Sequence, residues 1–370
     1  MVVSPAGHRE RLSRPGFQAR PYSPQDRGKL MRQAFWDDKR VLVTGGCSFI
    51  GSHLVEHLID AGATVRVVDD LSSGKLSNLD DAPAGWEFVH ADLRDPQVAA
   101  AAMDGIEVVF HLAAVHGGRG FIDLHQTACS TNFVLDGVVS QAAMVAGVDN
   151  FVYASSGCVY PVELQGDVTA EVRLTEPQVG PPYEADGLYG WAKLMMELRL
   201  AAMHAEAGFP SVSCRLFTVY GERCPESHAL TAMVGRAFLR QAPFEIWGDG
   251  TQMRNWTYVT DIVRGLVLAA EHVRDGSAIN LGTEEGIQVR EAAQLILDIT
   301  GLDSPIKPLP DMPTGPYNRV ASAAVARERL GWVPEMPFHT GLKRLANWYF
   351  ETRSKDSMSS SDFADKLITR

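Results

Sequence analysis

A tyrosine and a lysine, Tyr189 and Lys193, lie four positions apart in the segment Tyr-Gly-Trp-Ala-Lys. Residues at this spacing are neighbours on one face of a helix. A free phenol has a pKa of about 10, and a nearby ammonium favours the anionic form. The pair is therefore a candidate general base for chemistry near neutral pH. By itself the spacing is more typical of an ordinary surface pair, so its interpretation depends on the other motifs of the chain.

A glycine-rich turn predicts a nucleotide-binding site at the start of the fold. Residues 41–51, Val-Leu-Val-Thr-Gly-Gly-Cys-Ser-Phe-Ile-Gly, have the pattern of a buried strand, a tight turn and a helix start. Two glycines would let the backbone approach a pyrophosphate at the N-terminus of the helix, and Gly51 would let that helix pack on the sheet. The cofactor contacts predicted here are Gly45, Gly46, Ser48, Phe49, Ile50 and Gly51.

Acidic residues follow the next two predicted strands. The run Val-Arg-Val-Val-Asp-Asp ends at position 70, and we assign the ribose contact to Asp69. A carboxylate there accepts ribose hydroxyls and repels a 2′-phosphate, which predicts NAD rather than NADP as the cofactor. Asp92 and Leu93, after the third strand, are expected beside the adenine.

Short apolar strands alternate with helical segments over residues 40–217. Strands are expected at 40–43, 64–68, 87–90, 107–112, 150–154 and 211–217, and helices at 50–61, 96–103, 124–147 and 186–207. This order predicts an α/β fold with a Rossmann-like, doubly wound parallel sheet. After about residue 220 the pattern loosens, which predicts a smaller C-terminal substrate-binding lobe over the carboxyl edge of the sheet, where ligands bind in such folds.

The expected domain organisation has four parts. Residues 1–37 are predicted to be a mobile arm, with the alternative that Met31, Phe35 and Trp36 dock locally. Residues 38–220 form the NAD-binding domain, to which the chain returns near 252–282. Residues 221–350 are mainly the substrate lobe, and 351–370 are a flexible tail.

Composition narrows the class of protein. The chain has 370 residues, of which 45% are hydrophobic, and a formal net charge of −11. The charge argues against nucleic-acid binding by phosphate neutralisation. No apolar run reaches the ~20 residues of a membrane span. Five cysteines without a C-x-x-C pair indicate neither a disulfide framework nor a zinc site. These features predict a reduced, cytoplasmic enzyme without a metal.

Several motifs, taken in order, resemble the extended short-chain dehydrogenase/reductase family of nucleotide-sugar epimerases and dehydratases. They are T-G-G-x-x-F-I-G, D-D-L-S-S-G at 69–74, A-D-L at 91–93, H-L-A-A at 111–114, S-S-x-x-V-Y at 155–160 and Y-G-x-x-K. One departure is Ser48, where the family usually has a third glycine. Its Cβ could weaken NAD binding, or its hydroxyl could bind a phosphate.

The resemblance implies transient oxidation of a sugar. Tyr189 would remove the proton of the 4-hydroxyl while C4 gives a hydride to NAD, Lys193 would keep the phenolate poised, and Ser156 would hydrogen-bond to the same oxygen. Dehydratases of the family carry an Asp-Glu pair where this chain has Gly157 and Cys158. A thiolate at 158 could instead remove a proton next to the 4-ketone.

Three further segments, at 115–122, 155–161 and 244–254, are most similar to the GDP-mannose 3,5-epimerases. That resemblance implies substrate contacts from Gly117 and Gly118, and a diphosphate clamp from Arg254 and Arg319. It also implies a homodimer formed through the helices at 124–147 and 186–207.

The second acid/base group of those epimerases is a lysine, and the matching loop at 222–229 has none. His228 is the nearest replacement, although it could equally be an ordinary loop histidine. His116 is a weaker candidate that would line the sugar pocket. We therefore expect a GDP-mannose 3,5- or 5-epimerase. The alternatives are a UDP-sugar 4-epimerase and a non-catalytic NAD-binding scaffold.

Overall fold

A computed structural model describes residues 35–167, 172–353, 363 and 365–367. The strands are β1 (Arg40–Thr44), β2 (Thr64–Asp69), β3 (Trp86–His90), β4 (Val108–His111), β5 (Asn150–Ser156), β6 (Ser211–Leu216), β7 (Val219–Tyr220), β8 (Phe244–Trp247), β9 (Met253–Arg254), β10 (Thr257–Tyr258), β11 (Ala278–Leu281), β12 (Ile287–Gln288), β13 (Ile306–Leu309) and β14 (Asn318–Arg319). The helices of five or more residues are α1 (Phe49–Asp60), α2 (Pro96–Ala102), α3 (Arg119–Leu124), α4 (Gln126–Ser130), α5 (Asn132–Ala146), α6 (Gly187–Ala207), α7 (Ala229–Phe238), α8 (Val259–His272), α9 (Val289–Thr300), α10 (Ala324–Leu330) and α11 (Phe338–Thr352).

The central sheet confirms the predicted α/β fold class. Seven strands pair in the order β11-β6-β5-β4-β1-β2-β3, and every neighbouring pair is parallel. The strand order reverses between β1 and β4, and ligands bind at such a switch point, outside the carboxyl ends of the strands. Three smaller sheets, β7–β10, β8–β13 and β9 with β12 and β14, build the C-terminal part.

Side chains alternate between the two buried faces of the sheet. In β1, Val41 and Val43 pack in one hydrophobic cluster with Leu54 of α1. Leu42 points to the other face, where it packs in a cluster that includes Leu135 of α5. Helices on both faces explain why the strands have continuous apolar runs rather than alternating polar ones.

Helix ends coincide with capping residues in the sequence. Asp95 accepts a hydrogen bond from the backbone N–H of Gln97 at the start of α2, and Pro96 occupies the first helical position. Gly147 and Gly208 end α5 and α6 in the left-handed conformation, with φ of +70° and +66°. These local signals fix where the long helices stop.

Parts of the sequence prediction are wrong. The expected helix over 124–147 is divided into α4 and α5 at Thr131. For the arm, the alternative of local docking applies to Trp36, which is fully buried and whose indole N–H donates to Glu271 at 2.7 Å. Phe363 and Leu367, in the expected flexible tail, are only 4% and 8% exposed. Residues 1–34 of the arm lie outside the described residues.

None of the helices that the structure describes is both long and apolar enough to cross a bilayer. In the same described residues, no group of three or more His, Cys, Asp or Glu side chains is arranged to hold a metal ion.

Candidate active site

The turn after β1 depends on glycine at two positions. Gly45 has φ of +70°, and a Cβ there would lie 2.9 Å from the backbone of Ala113. A Cβ on Gly51 would lie 2.2 Å from the carbonyl oxygen of Gly45. The turn and the first residues of α1 therefore pack too closely for any side chain, and this closeness gives a pyrophosphate access to the backbone.

Ser48 is accommodated without strain. Its φ of −85° is ordinary for a residue with a side chain, and its hydroxyl donates to the carbonyl oxygen of Gly45 at 2.8 Å. The hydroxyl thus holds the turn. Ser48 does not cap α1, so the N–H groups of the first helical turn gain no acceptor from it. That leaves the helix N-terminus able to bind an anion.

The ribose end of the cofactor site contains the predicted carboxylate. Asp69 ends β2 almost fully buried, and its oxygens accept the backbone N–H groups of Cys47 at 3.0 Å and Leu71 at 2.8 Å. These bonds orient the carboxylate at the edge of a pocket that Asp92 and Leu93 also line. Asp92 forms an ion pair with Arg94 at 2.6 Å. The residues fit the adenosine half of NAD.

The side chains predicted to be catalytic meet at the carboxyl end of β5 and the start of α6. Lys193 is buried; its ammonium donates to the carbonyl oxygen of Ala154 at 2.8 Å and lies 5.9 Å from the ring centroid of Tyr189. Ser156 hydrogen-bonds to the Tyr189 hydroxyl. A Cβ on Gly190 would lie 2.3 Å from the carbonyl oxygen of Cys158, so the glycine after the tyrosine lets α6 approach this turn.

Burial dominates the electrostatics of the Tyr189–Lys193 pair. Burial, followed by the nearby Cys158, raises the pKa of Tyr189, and the hydrogen bond from Ser156 only partly opposes this. Burial also lowers the pKa of Lys193. Proximity of the lysine in sequence is therefore not enough to give a phenolate near neutral pH, because both groups lose their hydration.

A buried polar network lies next to Lys193. The ammonium lies 4.6 Å from the ring centroid of Tyr153, whose hydroxyl donates to Asp136 at 2.6 Å. His111 lies 3.0 Å from the same carboxylate and 2.8 Å from the hydroxyl of Thr44. The network links β1, β4, β5 and α5, and it fixes the strand ends that carry the site.

Cys158 lies against a guanidinium. An N–H group of Arg319 points at the sulfur of Cys158 with an N···S distance of 3.1 Å, and the same guanidinium donates to Asp186 at 2.8 Å and Gln165 at 2.7 Å. The resemblance predicts that Arg319 clamps a diphosphate. Arg319 lines a cavity beside the cysteine, and within the described residues its guanidinium is held by Cys158, Asp186 and Gln165.

Two residues that sequence reasoning missed complete this cluster. Asp186 precedes α6 and also accepts from Arg119 at 2.6 Å. Burial would raise the pKa of Asp186, but the charges of Arg319 and Arg119 hold it below its usual range. Arg119 directly follows Gly118 in the glycine-rich segment, and its charge in that segment is the sequence signal that could have identified it.

Arg254 lines the same cavity as Arg319. Its guanidinium donates to the carbonyl oxygens of Met253 at 2.6 Å and Thr314 at 2.7 Å. Burial, together with the charges of Arg319 and Arg119, lowers its pKa to about 9. Crowded, buried cations of this kind are stabilised when an anion binds among them, so the predicted diphosphate contact fits the geometry.

His228 reaches the site through a tightly packed loop. It is half-buried, its Nε2 atom is enclosed without a hydrogen-bond partner among the described residues, and its ring lies 6.1 Å from that of His116. Burial lowers the pKa of His228 to about 4, so the ring is neutral near pH 7 and is a weaker base than a solvated histidine. Gly117, Cys158 and Tyr189 line the same cleft as both histidines.

Gly118 is the contact that holds this loop. A Cβ at position 118 would lie 1.7 Å from the carbonyl oxygen of Ser227, next to His228. We expect Gly118→Ala to displace the loop, to lower the free energy of unfolding by about 1–3 kcal/mol and to reduce turnover. Thermal melting and steady-state kinetics measure both effects.

Gly180→Ala is the matched control, because the nearest atom to a Cβ there is 3.7 Å away. Equal behaviour of the two variants would contradict the steric role of Gly118.

The predicted residues thus form three connected regions. Gly45, Ser48, Phe49, Ile50 and Gly51 line one cleft with Ser156, Cys158, Tyr189, Lys193, His228 and Arg319. Asp69, Asp92 and Leu93 lie at the adenosine end, and Gly118 and Arg254 line an adjoining cavity with Gly117, Cys158, His228 and Arg319. Gly46 instead faces Val67: a Cβ on Gly46 would lie 2.8 Å from the side chain of Val67. Cofactor and substrate sites therefore meet at Cys158 and His228.

The chain is similar to known proteins in both sequence and structure. Residues 41–282 match the NAD dependent epimerase/dehydratase family. GDP-mannose 3,5-epimerase 1 of Oryza sativa subsp. japonica is 28% identical over 351 residues, which cover 93% of this chain and 90% of the rice protein. UDP-glucose 4-epimerase from Thermotoga maritima, solved with UDP-glucose, has a TM-score of 0.76 and 29% identity and covers 85% of this chain and 99% of its own. The UDP-glucose 4-epimerase of Thermus thermophilus, solved with NAD, has a TM-score of 0.75 and 27% identity and covers 85% of this chain and 100% of its own.

Proposed function

Since the chain belongs to the NAD dependent epimerase/dehydratase family, we propose that it is a nucleotide-sugar epimerase that inverts a carbon next to a transient 4-ketone. The preferred substrate is GDP-mannose, epimerised at C3 and C5 or at C5 alone. NAD is the cofactor. One observation carries the proposal: Cys158, paired with Arg319, opens into the same cleft as Tyr189.

Tyr189 is proposed to accept the proton of the sugar 4-hydroxyl. A nicotinamide cofactor held at this site would supply the hydride acceptor and a positive charge that favours the phenolate of Tyr189. Lys193 adds a second cation, and Ser156 orients the phenol oxygen. The residues that would hold the cofactor are the turn at 45–51, Asp69 and the pair at 92–93.

Cys158 is proposed to act on the ketone. A proton on the carbon next to a carbonyl is acidified, so a thiolate can remove it; inversion then requires that a proton be delivered to the opposite face of the resulting enolate. Arg319 stabilises that thiolate at 3.1 Å. Neutral His228, in the same cleft, is the second proposed acid/base group.

Dehydration fits this site less well. A dehydratase of this family needs a carboxylate pair at 157 and 158, and the chain has glycine and cysteine there. The buried carboxylate of the cluster, Asp186, is held ionised by two arginines and so is a poor acid. A simple 4-epimerase remains the second candidate, because a solved UDP-glucose 4-epimerase shares the fold over 85% of this chain.

Heavy water separates these two functions. We expect GDP-mannose incubated with the enzyme in D₂O to gain deuterium at C3 or C5, because enolisation exchanges the carbon-bound proton with solvent. Proton NMR of the recovered sugar measures the exchange at each carbon. The same incubation with UDP-glucose in place of GDP-mannose is the control. Inversion at C4 without any carbon-bound deuterium would instead establish the UDP-sugar 4-epimerase.

The non-catalytic scaffold is disfavoured by the same site. Tyr189 and Lys193 are both present at the end of the cleft, where Lys193 is buried and Ser156 is bonded to the phenol. A protein that only senses NAD would not need this arrangement. Turnover of any nucleotide sugar in the assay above rejects the scaffold.

A homodimer is proposed as the assembly. α5 exposes Phe133, Val134 and Val145, the last with 79% of its surface accessible. α6 exposes Met195, and Leu188 lies in its first turn. Apolar side chains on two neighbouring helices suit burial against a second copy. Sedimentation equilibrium measures the assembly, and a monomer at all concentrations would reject the proposal.

A further inference from the structure

The residues described near the C-terminus, 363 and 365–367, lie against the substrate cavity and are called the strap here. Phe363 and Leu367 are only 4% and 8% exposed, whereas residues 365 and 366 are exposed. Leu367 lines the cavity that also contains Arg254 and Cys158, which is the substrate cavity of the proposed function. The strap therefore supplies part of a wall of that cavity.

An aromatic ring anchors the strap. A Cβ on Gly235 of α7 would lie 2.5 Å from a ring carbon of Phe363 and 3.0 Å from the hydroxyl oxygen of Tyr349 on α11. The ring thus packs on α7 where α11 also meets it, in space that a side chain at position 235 would fill. Burial of a phenylalanine is a large apolar contact for so short a segment. Phe363 therefore fixes the position of the strap.

The strap and the loop that carries His228 form a wall between two cavities. Ser227 and His228 line both the substrate cavity and an outer cleft of about 860 Å³. In the strap, Lys366 lines the outer cleft and Leu367 lines the substrate cavity. Since consecutive residues face different cavities, the wall is about one chain thick at this point.

Charged groups hold the two sides of this wall together. Glu226, in the loop, is 8% exposed and accepts a hydrogen bond from Arg353 at 3.1 Å. Burial would raise the pKa of Glu226, but Arg353, a backbone hydrogen bond and Lys366 hold it below its usual range. The loop thus places an ionised carboxylate near a cation of the strap.

The substrate cavity is small for a nucleotide sugar. Its volume is about 220 Å³, whereas sites for small molecules usually have about 300–1,000 Å³. The cofactor cleft beside it has a similar volume and is needed for NAD. A wall of the substrate cavity therefore has to move outward when a nucleotide sugar enters. The strap can move without breaking a strand or a helix, because it belongs to none of the elements named above.

Resting on the proposed function, we propose that the strap opens to admit the nucleotide sugar from the outer cleft and then closes against it. Phe363 is the anchor of the closed position, and Leu367 packs against the bound substrate. Both are positioning residues, because neither side chain can transfer a proton or a hydride. Closure completes the wall beside His228 and keeps water away from Cys158.

Kinetics of two variants test the closed position. Phe363→Ala removes the anchor and Leu367→Ala removes the wall contact, so each should raise KM for GDP-mannose about tenfold. The value of kcat should stay within about threefold, because the lost contact supports substrate and transition state alike. Isothermal titration calorimetry with GDP-mannose should show the same loss of affinity. A merely structural role would lower kcat by reducing the folded fraction and would leave KM unchanged.

Gly235→Ala disturbs the anchor without changing the strap. The added methyl group would meet the ring of Phe363, and alanine favours a helix, so α7 should stay folded. This variant should reproduce the rise in KM. Phe350→Ala is the matched control: its ring packs edge-on against Phe238 of α7 at 5.1 Å, but it does not line the substrate cavity. Its KM should match that of wild type.

Limited proteolysis follows the movement itself. Trypsin can cleave after Lys366, and release of residues 367–370 from the full chain is measured by mass spectrometry. Saturating GDP-mannose should slow this cleavage about tenfold, because a ligand that binds the closed strap lowers the population of the open one. Cleavage after Arg274, an exposed residue that lines neither cavity, is the internal reference. UDP-glucose is tested in parallel.

Three results would overturn the proposal. They are an unchanged KM in Phe363→Ala and Gly235→Ala, a fall in kcat alone in these variants, and cleavage after Lys366 that neither nucleotide sugar slows. Deuterium exchange by wild-type enzyme tests the proposed function separately. An enzyme that exchanges deuterium but gives one of these results remains an epimerase without a closing strap. An enzyme that converts neither sugar overturns both proposals.

Discussion

Tyr189→Phe should lower turnover of the nucleotide sugar by about 10²–10⁴-fold, the range that general base catalysis contributes. The substitution keeps the buried ring and removes only the hydroxyl. That hydroxyl is the group that Ser156 orients and that Lys193 approaches. We expect NAD to remain bound, because the phosphate turn and Asp69 are untouched. Turnover by NMR, together with the NAD content of the purified variant, measures the two effects.

Tyr160→Phe is the matched control for loss of a buried phenol. Its hydroxyl donates to Asn280 at 2.7 Å and accepts from Arg215 at 3.1 Å, on the core side of the same strand end. The variant should lose about 1–3 kcal/mol of stability while its turnover stays within a few-fold of wild type. Undiminished turnover in Tyr189→Phe would remove the basis for transient oxidation at this site.

The central fold could be predicted because its signals are local. Apolar strands of β1, β2 and β4 alternate with helices whose ends carry caps such as Asp95 and Gly147. Each signal lies within a few residues of the element that it defines. The break at Thr131 escaped prediction because no glycine or proline marks it. Its backbone stays near helical values, with φ of −62° and ψ of −17°.

The ends of the described chain show the limit of composition as a guide. Trp36 lies in a stretch that composition marks as solvated, yet it is fully buried. A Cβ on Gly235 would lie 2.5 Å from the ring of Phe363, which shows how closely that ring packs on α7. Single aromatic residues inside polar segments can dock when the fold offers a complementary gap. That gap is a property of the assembled fold, so local pattern does not reveal it.

The cofactor turn and the Tyr-Lys pair were found from sequence because their residues are close along the chain. The environment of Cys158 could not be predicted from the sequence. Its partner Arg319 is 161 positions away, and Asp186 lies 133 positions from Arg319 and 67 from Arg119. Contacts over such separations depend on how the lobe packs against the sheet. Resemblance could name the arginine, but only the fold shows that its partners include a cysteine and a carboxylate.

Cys158→Ser should abolish most carbon-bound deuterium exchange, with a fall of about 10²–10⁴-fold, and should spare the oxidation step. A serine hydroxyl can keep the hydrogen bond to Arg319, but it does not ionise near neutral pH. Tyr189, Lys193 and Ser156 are unchanged, so the 4-hydroxyl is still deprotonated. We therefore expect reduced nicotinamide to accumulate when substrate is added. Its near-ultraviolet absorbance and NMR of the sugar measure the two steps separately.

Cys224→Ser tests whether any nearby thiol would do. Cys224 lies in the loop that carries His228 and is fully buried, and that burial raises its pKa to about 12, so it remains a thiol at neutral pH. Exchange in this variant should match wild type. If deuterium exchange survives in Cys158→Ser, another group of the cleft must be the base, and His228 would be tested first. Loss of the oxidation step along with exchange would instead assign Cys158 to positioning the substrate, because a pure acid/base residue acts only after the ketone has formed.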